Sequence, residues 1–199
     1  QAGAPRGSET FNTLLILGLV ASIAALPLQS RVPHVDLPVM VVSATVLLLM
    51  SLDGRLTAVE GALLLVGGIA YTVLVVHTSR RESVAFIGLT VVAIGTSAPE
   101  LATAVVASVR HERDIAVGNL FGSSIYNILV ILGVTILASP GGLTVSPDLV
   151  RFDLPVMLGV SILCIPIFLT GRRVSRPEGV ALMALYVLYL GAVIVIELT

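Results

Sequence analysis

The chain has 199 residues, of which 56% are hydrophobic and only 12% are charged, and its formal net charge is −1. A soluble domain carries about 25% charged residues, so this composition excludes an ordinary soluble protein and indicates a polytopic membrane protein. There is no basic patch to support nucleic-acid binding. The single cysteine, Cys164, excludes an internal disulfide, and no cluster of His and Cys suggests a resident metal.

Seven apolar segments, separated by short polar connections, predict seven membrane-spanning helices. They cover residues 11–28, 37–52, 57–76, 84–109, 115–138, 153–170 and 178–198. Most of them approach the ~20 residues that a helix needs to cross ~30 Å of hydrocarbon. In lipid every backbone N–H and C=O must be hydrogen-bonded within the protein, which only helices and closed β-barrels achieve. The segments show no strand-like alternation, so we expect helices. The predicted fold class is therefore an all-α polytopic membrane protein with about seven transmembrane helices.

Two parts of the chain carry the same blocks in the same order. The first copy contains GSETFNTLLILGL at residues 7–19, VDLPVM at 35–40 and DGRLTAVEG at 53–61. The second copy contains GSSIYNILVILGV at 122–134, FDLPVM at 152–157 and TGRRVSRPEG at 170–179. Duplicated helical bundles are typical of transporters, whose binding sites lie where the repeats meet. Because the first apolar segment belongs to this repeat, we do not expect it to be a signal peptide.

The arginines predict that the two copies are inverted in the membrane. Cytoplasmic connections collect Lys and Arg, which makes the more basic side of each copy its cytoplasmic side. On this basis the second copy has five arginines on one side and one on the other, and the first copy has three against two. The more basic sides hold Arg110, Arg113, Arg172, Arg173 and Arg176 in the second copy, and Arg31, Arg80 and Arg81 in the first. If both biases hold, the copies are inverted and one span is missing between about His77 and Ser83.

The fourth apolar segment contains a carboxylate, Glu100, at a depth where a charge costs a few kcal/mol. Pro99 has no N–H, so the carbonyl of Gly95 loses its helical partner. Thr96 and Ser97 precede Glu100 by one turn and lie on its face of the helix. Carboxylate, carbonyl and hydroxyl oxygens suit Ca²⁺ and also Na⁺, and transporters often bind cations at such broken helices. The alternative is an acid that is paired locally or reaches the membrane surface.

The fifth apolar segment offers a second set of oxygen ligands. Asn119, Ser123 and Asn127 are spaced four residues apart and therefore follow one face of a helix. Gly118 and Gly122 form a small-xxx-small pair that permits close helix packing. Taken alone, this pattern favours packing and hydrogen bonding between helices. Beside the acid of the preceding segment, it favours a cation site.

Two further acids, Asp36 and Asp153, occupy equivalent positions in the repeated DLPVM block. Each lies just before a proline at a predicted helix start. We expect both side chains to cap their helices rather than to bind a ligand.

The stretch GLTVVAIGTSAPELATAVVASVRHERDIAVGNLFGSSIYNILVILGVT resembles the second alpha-repeat of the sodium/calcium exchanger family, within the calcium/cation antiporter superfamily. The DLPVM and EG blocks resemble its bacterial members, and the likeness runs from about Gly7 onward. The resemblance implies a fold of ten helices in two inverted halves, whose alpha-repeats together enclose the Ca²⁺ and Na⁺ sites. By this comparison residues 1–83 are a remnant of the first half, lacking most of its alpha-repeat, and residues 84–199 are the second half. The chain then resembles an incomplete version of the ten-helix antiporter.

The resemblance also implies the ligands. In the second alpha-repeat the acid of the family's GTSxPE motif corresponds to Glu100, and the last coordinating position corresponds to Asn127, where some members carry Asp. In the first alpha-repeat only the tail of the motif is present. The implied metal ligands are Glu100, Thr96, Ser97, Ser123, Asn127, Asn12 and Ser8.

The function predicted on this basis is exchange of calcium for sodium by alternating access, in the bacterial inner (plasma) membrane. One alternative is a proton-coupled cation antiporter of the same superfamily. Another is a transport-inactive membrane fragment, or a subunit whose site a second chain completes. An enzyme is not expected, because no nucleophile–base pair is recognisable, and no cofactor is expected beyond the transported ions. The predicted partners are calcium, sodium and the lipid bilayer, and not nucleic acid.

Overall fold

The computed structural model describes residues 10, 12–23, 26–27, 32–79, 113–169 and 173–198. Six helices occupy this part of the chain, and four of them contain a wider π-helical turn. The first three helices are α1 (π turn Asn12–Ile16, then Leu17–Ile23), α2 (π turn Val32–Asp36, then Leu37–Met50) and α3 (Ala58–Ser79). The last three are α4 (Arg113–Tyr126, π turn Asn127–Ile131, Leu132–Ala138), α5 (π turn Leu149–Asp153, then Leu154–Leu169) and α6 (Arg176–Leu198).

Five of the described helices are long and apolar enough to cross a membrane. The five spans are His34–Asp53, Ala58–His77, Leu120–Ala138, Leu149–Leu169 and Arg176–Val195. A shorter apolar helix covers Thr13–Ser22. The prediction of a helical, polytopic integral membrane protein is thus confirmed. The predicted segment 84–109, the chain between Ser79 and Arg113, and the boundary between residues 83 and 84 lie outside the described residues.

Two short strand pairs, which the sequence analysis did not predict, join the two copies. β1 (Leu26–Pro27) pairs with β4 (Arg173–Val174), and β2 (Arg55–Leu56) pairs with β3 (Leu143–Thr144), both antiparallel. Each strand is two residues long, which is too short to show an alternating pattern. The first predicted segment, 11–28, was therefore too long as a helix, because its apolar tail forms β1 after the helix has ended at Ile23.

The strand pairs show that equivalent helices run in opposite directions. β1 follows α1 and β4 follows α5, so α1 and α5 finish at one end of the bundle, the β1–β4 end. β2 follows α2 and β3 follows α4, so α2 and α4 finish at the other end, the β2–β3 end. Helix α4 is the repeat equivalent of α1, yet it finishes at the opposite end. The predicted inversion of the copies is confirmed.

The described arginines follow the predicted asymmetry. Arg113 begins α4 and Arg173 lies in β4, so both belong to the β1–β4 end, as does Arg176. Arg55 and Arg151 lie at the β2–β3 end. By the bias of basic residues toward the cytoplasm, the β1–β4 end is predicted to face the cytoplasm.

The copies are interleaved, because each helix packs mainly on helices of the other copy: α1 on α6, α3 on α4 and α2 on α5. Glycines permit two of these contacts. A Cβ atom at Gly18 would lie 2.9 Å from the carbonyl oxygen of Gly179, and one at Gly133 would lie 3.0 Å from that of Gly61. Since Gly18 and Gly133 are repeat equivalents, as are Gly179 and Gly61, the same backbone contact occurs twice.

The prediction that Asp36 and Asp153 cap helices is wrong. Asp36 has helical φ and ψ angles and makes no side-chain cap hydrogen bond, because α2 already begins with the π turn before it. Asp153 likewise closes a π turn and continues directly into helix. Both side chains are buried and accept hydrogen bonds from tyrosines: Tyr71 donates to Asp36 Oδ1 at 3.0 Å, and Tyr189 donates to Asp153 Oδ1 at 2.9 Å. Each bond joins two helices of one copy.

Capping boxes begin the third helix of each copy. The Thr57 hydroxyl and backbone N–H donate to Glu60 Oε2 at 2.8 and 2.7 Å, in front of α3. The Ser175 hydroxyl and N–H donate to Glu178 Oε2 at 2.6 and 2.7 Å, in front of α6. In the first copy the N–H of Glu60 also donates back to the Thr57 hydroxyl oxygen at 3.5 Å. Bonds of this kind satisfy N–H groups that a helix start leaves unpaired.

Candidate functional site

Helix α4 carries two of the predicted ligands, Ser123 and Asn127, one turn apart on the same face. Ser123 is 2% exposed, and its hydroxyl donates to the carbonyl oxygen of Leu120 at 3.0 Å. Because that bond uses the only hydroxyl hydrogen, a lone pair of the Ser123 oxygen remains for a cation. The side chain of Asn127 is half-buried.

Asn127 is also the first residue of a π turn, in which the N–H of Leu132 donates to the carbonyl oxygen of Asn127. The equivalent turn in α1 begins at Asn12, so the predicted ligand opens a π turn in both copies. Such turns inside helices are frequent at functional sites. These turns were not predicted, because a π turn is a rare single turn inside a helix whose apolar pattern is otherwise α-helical.

Side chains of α3 border the segment that bears these ligands. The Tyr71 ring packs edge-on against the Tyr126 ring, with centroids 5.8 Å apart and an interplanar angle of 67°. The Tyr71 hydroxyl lies 3.9 Å from where a Cβ atom of Gly122 would be. The Thr72 and Tyr126 hydroxyl oxygens are 2.8 Å apart. Contacts between the copies therefore occur beside both ligands along α4: Tyr71 lies near Gly122, next to Ser123, and Thr72 is hydrogen-bonded to Tyr126, next to Asn127.

Two buried hydroxyls next to predicted ligands have no hydrogen-bond partner among the described residues. They belong to Thr13, which follows Asn12, and to Ser124, which follows Ser123. Both side chains are at most 1% exposed. An unsatisfied buried hydroxyl costs about 1–3 kcal/mol, so native proteins contain few of them. Neither residue was predicted as part of the site, although each directly follows a predicted ligand in the sequence.

The remaining predicted ligands stay predictions. Asn12 lies at the start of its π turn, but its side chain is not among those that the structure describes, and Glu100, Thr96, Ser97 and Ser8 lie outside the described residues. Within the described ranges there is no group of three or more His, Cys, Asp or Glu side chains that could hold a metal ion. Ser123 and Asn127 are thus the part of the predicted site that the structure brings together.

The fold defines a class of proteins, namely integral membrane proteins built from inverted helical repeats. The family described as sodium/calcium exchanger protein matches residues 3–77 and 72–195 of the chain. These two matches include most of both copies. The chain belongs to the sodium/calcium exchanger protein family.

Relatives from bacteria and archaea match at different lengths. Inner membrane protein YrbG of Escherichia coli is 46% identical over 104 residues, which is 52% of this chain and 31% of that protein. Sodium/calcium exchanger MaX1 of Methanosarcina acetivorans is 43% identical over 104 residues, 52% of this chain and 29% of that protein. Both matches span only about a third of the relative's length.

Putative antiporter CaxA of Alkalimonas amylolytica is similar over most of the chain. It is 26% identical over 240 aligned positions, covering 92% of this chain and 75% of that protein. Since the alignment is longer than the 199 residues of this chain, it contains positions at which the relative has residues without a counterpart here.

A solved structure of the sodium-calcium exchanger NCX_Mj, soaked with Na⁺ and Sr²⁺, has a similar fold. The TM-score is 0.74 at 23% sequence identity, with 93% of this chain and 74% of that chain covered. The predicted fold class, an incomplete version of the inverted-repeat antiporter fold, is confirmed by this similarity.

Proposed function

We propose that the chain binds and exchanges calcium and sodium across the bacterial inner membrane, as part of a cation antiporter. The observation that carries the proposal is the position of Ser123 and Asn127: both lie on one face of α4, in the stretch of that helix that packs on the first copy, on α2 before the π turn and on α3 at the turn. Family membership and the names of the relatives support the same function. In this proposal Glu100, with the hydroxyls of Thr96 and Ser97, completes the ligand set.

The proposed coupling is competition for the same oxygens. A carboxylate held in a poorly solvated site attracts cations strongly, so the empty site is unfavourable. Calcium, or sodium in its place, neutralises the carboxylate of Glu100, and the two ions do not occupy the same ligands together. Exchange follows because one ion leaves when the other binds.

The proposed transport cycle is alternating access. In an inverted repeat, each copy presents equivalent surfaces to opposite sides of the membrane. A site between the copies can therefore open to one side of the membrane when one set of contacts between the copies breaks. The equivalent set on the other side then closes the site there. The interleaving of α1 with α6 and of α3 with α4 supports this reading, because both contacts are equivalent under the repeat.

The test is calcium uptake by the purified chain in sealed vesicles, driven by an outward sodium gradient. Glu100→Gln is expected to abolish uptake, because it removes the charge that holds the ion. Ser123→Ala and Asn127→Ala should weaken uptake less, since each removes one neutral ligand. The matched control is Glu60→Gln, because a glutamine can replace glutamate in a capping box. Uptake by Glu100→Gln equal to that of the unmodified chain would remove Glu100 from the site.

A proton-coupled antiporter of the same superfamily is the second candidate, because the name of the relative CaxA, a putative antiporter, states no ion and is compatible with coupling to protons. Uptake driven by a pH gradient without sodium would establish it in place of sodium coupling.

A subunit that needs a second chain is the third candidate, and the positions of CaxA that have no counterpart here favour it. Uptake that appears only after a partner chain is added to the vesicles would support this candidate. Uptake by the purified chain alone would exclude it.

A further inference from the structure

Helix α3 contacts both sides of the point where the π turn of α4 begins. A Cβ atom at Gly68 would lie 2.6 Å from Val130 Cγ2 and 3.3 Å from Leu129 Cβ, both inside the turn. One turn further along α3, the Thr72 hydroxyl oxygen lies 2.8 Å from the hydroxyl oxygen of Tyr126, the last residue before the turn. We name this pair of residues, Gly68 and Thr72, the α3 contact.

The hydrogen-bond directions in the α3 contact follow from the number of hydrogens. Thr72 has one hydroxyl hydrogen, and its oxygen lies 2.8 Å from the carbonyl oxygen of Gly68, which can only accept. The Tyr126 hydroxyl must therefore donate to Thr72. The result is a relay from Tyr126 through Thr72 to the backbone of Gly68, and it ties α4 to α3.

The π turn links the α3 contact to the orientation of the ligands. A π turn holds one more residue than an α-helical turn, and one residue corresponds to about 100° of rotation around a helix. If the turn became α-helical, the segment before it would rotate by that angle relative to the segment Leu132–Ala138. Ser123 and Asn127 would then leave the face on which they now lie. A contact that holds residues both before and inside the turn opposes this rotation.

We infer that Thr72, with Gly68, is a positioning residue that holds the π turn of α4 and thereby orients Ser123 and Asn127 toward the cation. Thr72 itself does not touch the ion in this inference, which rests on the proposed function. The contact comes from the other copy, so the first copy sets the geometry of the ligands that the second copy supplies.

The test compares Thr72→Val and Tyr126→Phe with Thr45→Val as the matched control. The Thr45 hydroxyl also donates to the carbonyl four residues earlier, at 2.7 Å, and the side chain is also half-buried. Amide hydrogen exchange of Asn127–Ile131 is measured first, because it needs no ion. One hydrogen bond contributes about 1 kcal/mol, so exchange of this segment should be about fivefold faster in both variants and unchanged in Thr45→Val.

The second measurement is calcium-dependent uptake in vesicles. Both variants should raise the half-saturating calcium concentration about fivefold, with the maximal rate within about twofold, because the ligands are misoriented while the protein remains folded. The double variant should resemble Thr72→Val, since that substitution already removes the hydrogen bond from Tyr126 that Tyr126→Phe would remove.

Exchange rates of Asn127–Ile131 that stay within about twofold of the unmodified chain in both variants would overturn the inference. So would faster exchange with an unchanged half-saturating calcium concentration in a chain that transports. If the unmodified chain takes up no calcium, the proposed function fails for this chain alone. The exchange measurement then decides whether the relay holds the turn.

Discussion

The two π turns that carry the predicted asparagine ligands are held in different ways. The turn Asn127–Ile131 is held by the α3 contact: its Val130 and Leu129 side chains pack closely on Gly68, and the residue before it, Tyr126, begins the hydroxyl relay through Thr72. The equivalent turn, Asn12–Ile16, lies against α6. In the repeat alignment the equivalents of Gly68, Thr72 and Tyr126 are Tyr186, Leu190 and Phe11. None of these three can reproduce both the close approach and the relay.

The rest of the framework is the same in both copies. Each has a buried tyrosine–aspartate bond, a capping box and a glycine contact at equivalent positions. The framework is therefore symmetric, whereas the support of the ligand-bearing turns is not. It follows that equivalent substitutions should both weaken folding, by amounts that the local contacts set, whereas their effects on ion binding should differ between the copies.

The largest effect is expected at the glycine contacts between helices of the two copies. Gly179→Ala would place a Cβ atom 2.6 Å from the backbone nitrogen of Ser22, whereas Gly61→Ala mainly meets the Ile136 side chain at 2.8 Å. Overpacking typically costs about 1–3 kcal/mol, so we expect Gly179→Ala near the upper end of this range and Gly61→Ala below it. The measurement is the free energy of unfolding in detergent.

The control for the glycine series is Gly191→Ala, on the same helix as Gly179, where an added Cβ atom meets nothing within 4 Å. It should be neutral or slightly stabilising, because alanine favours a helix over glycine. Equal effects of Gly179→Ala and Gly191→Ala would contradict the tight contact between α1 and α6.

The next effect concerns the buried tyrosine–aspartate bonds. Tyr71→Phe and Tyr189→Phe each remove one donor to a buried carboxylate, which should lower the free energy of unfolding by about 1–2 kcal/mol in either copy. The bonds are checked by double-mutant cycles with Asp36→Asn and Asp153→Asn. Additive effects within a cycle would show that the bond contributes nothing.

The two tyrosine variants should differ in their effect on calcium. The Tyr71 hydroxyl bond to Asp36 holds a ring that packs on Tyr126, next to Asn127, whereas the Tyr189 ring stacks on Phe152. Loss of the hydroxyl in Tyr71→Phe should therefore raise the half-saturating calcium concentration more than its loss in Tyr189→Phe does. Uptake measured for both variants at graded calcium concentrations checks this. A larger shift for Tyr189→Phe would reverse the asymmetry between the copies.

The smallest effect is expected at the capping boxes. Glu178→Ala removes partly buried bonds, and Glu60→Ala removes exposed ones. Loss of a capping interaction costs about 1 kcal/mol, and we expect the cost at Glu178 to exceed that at Glu60. Thermal unfolding of the two variants, each compared with its glutamine counterpart, measures the difference. The symmetric framework would be in doubt if only one of the two sites had any effect.

Composition and the repeated blocks were sufficient to predict the membrane helices and the inversion of the two copies. The apolar segments predicted the helices, and the arginines predicted the inversion that the strand pairs confirm. Asp36 was misassigned because DLP follows the local rule for a helix start. Its partner, Tyr71, lies 35 residues away, and no local rule reaches that far. The repeated pairing of an acid with a tyrosine in both copies was a signal that could have revealed the bond.

The contacts of α3 that hold the ligand-bearing part of α4 could not be predicted in the same way. Ser123 and Asn127 follow a spacing that a sequence displays, so their shared face could be predicted. The relay from Tyr126 to Thr72 depends on which helix of the other copy passes beside α4, and that is a result of the packing. Whether Glu100 joins these residues remains a prediction, because it lies outside the described part of the chain.

The contact between Gly18 and Gly179 has a consequence for biosynthesis. These residues lie at opposite ends of the chain, with neighbours such as Ser22 and Met183 that are 161 residues apart in contact. At about 5–20 residues per second, the ribosome needs roughly ten to thirty seconds to make the partner of the first helix. Throughout that delay, α1 must sit in the bilayer or against the translocon with its glycine face uncovered. Final packing of this helix therefore waits until α6 has been synthesised and has entered the membrane.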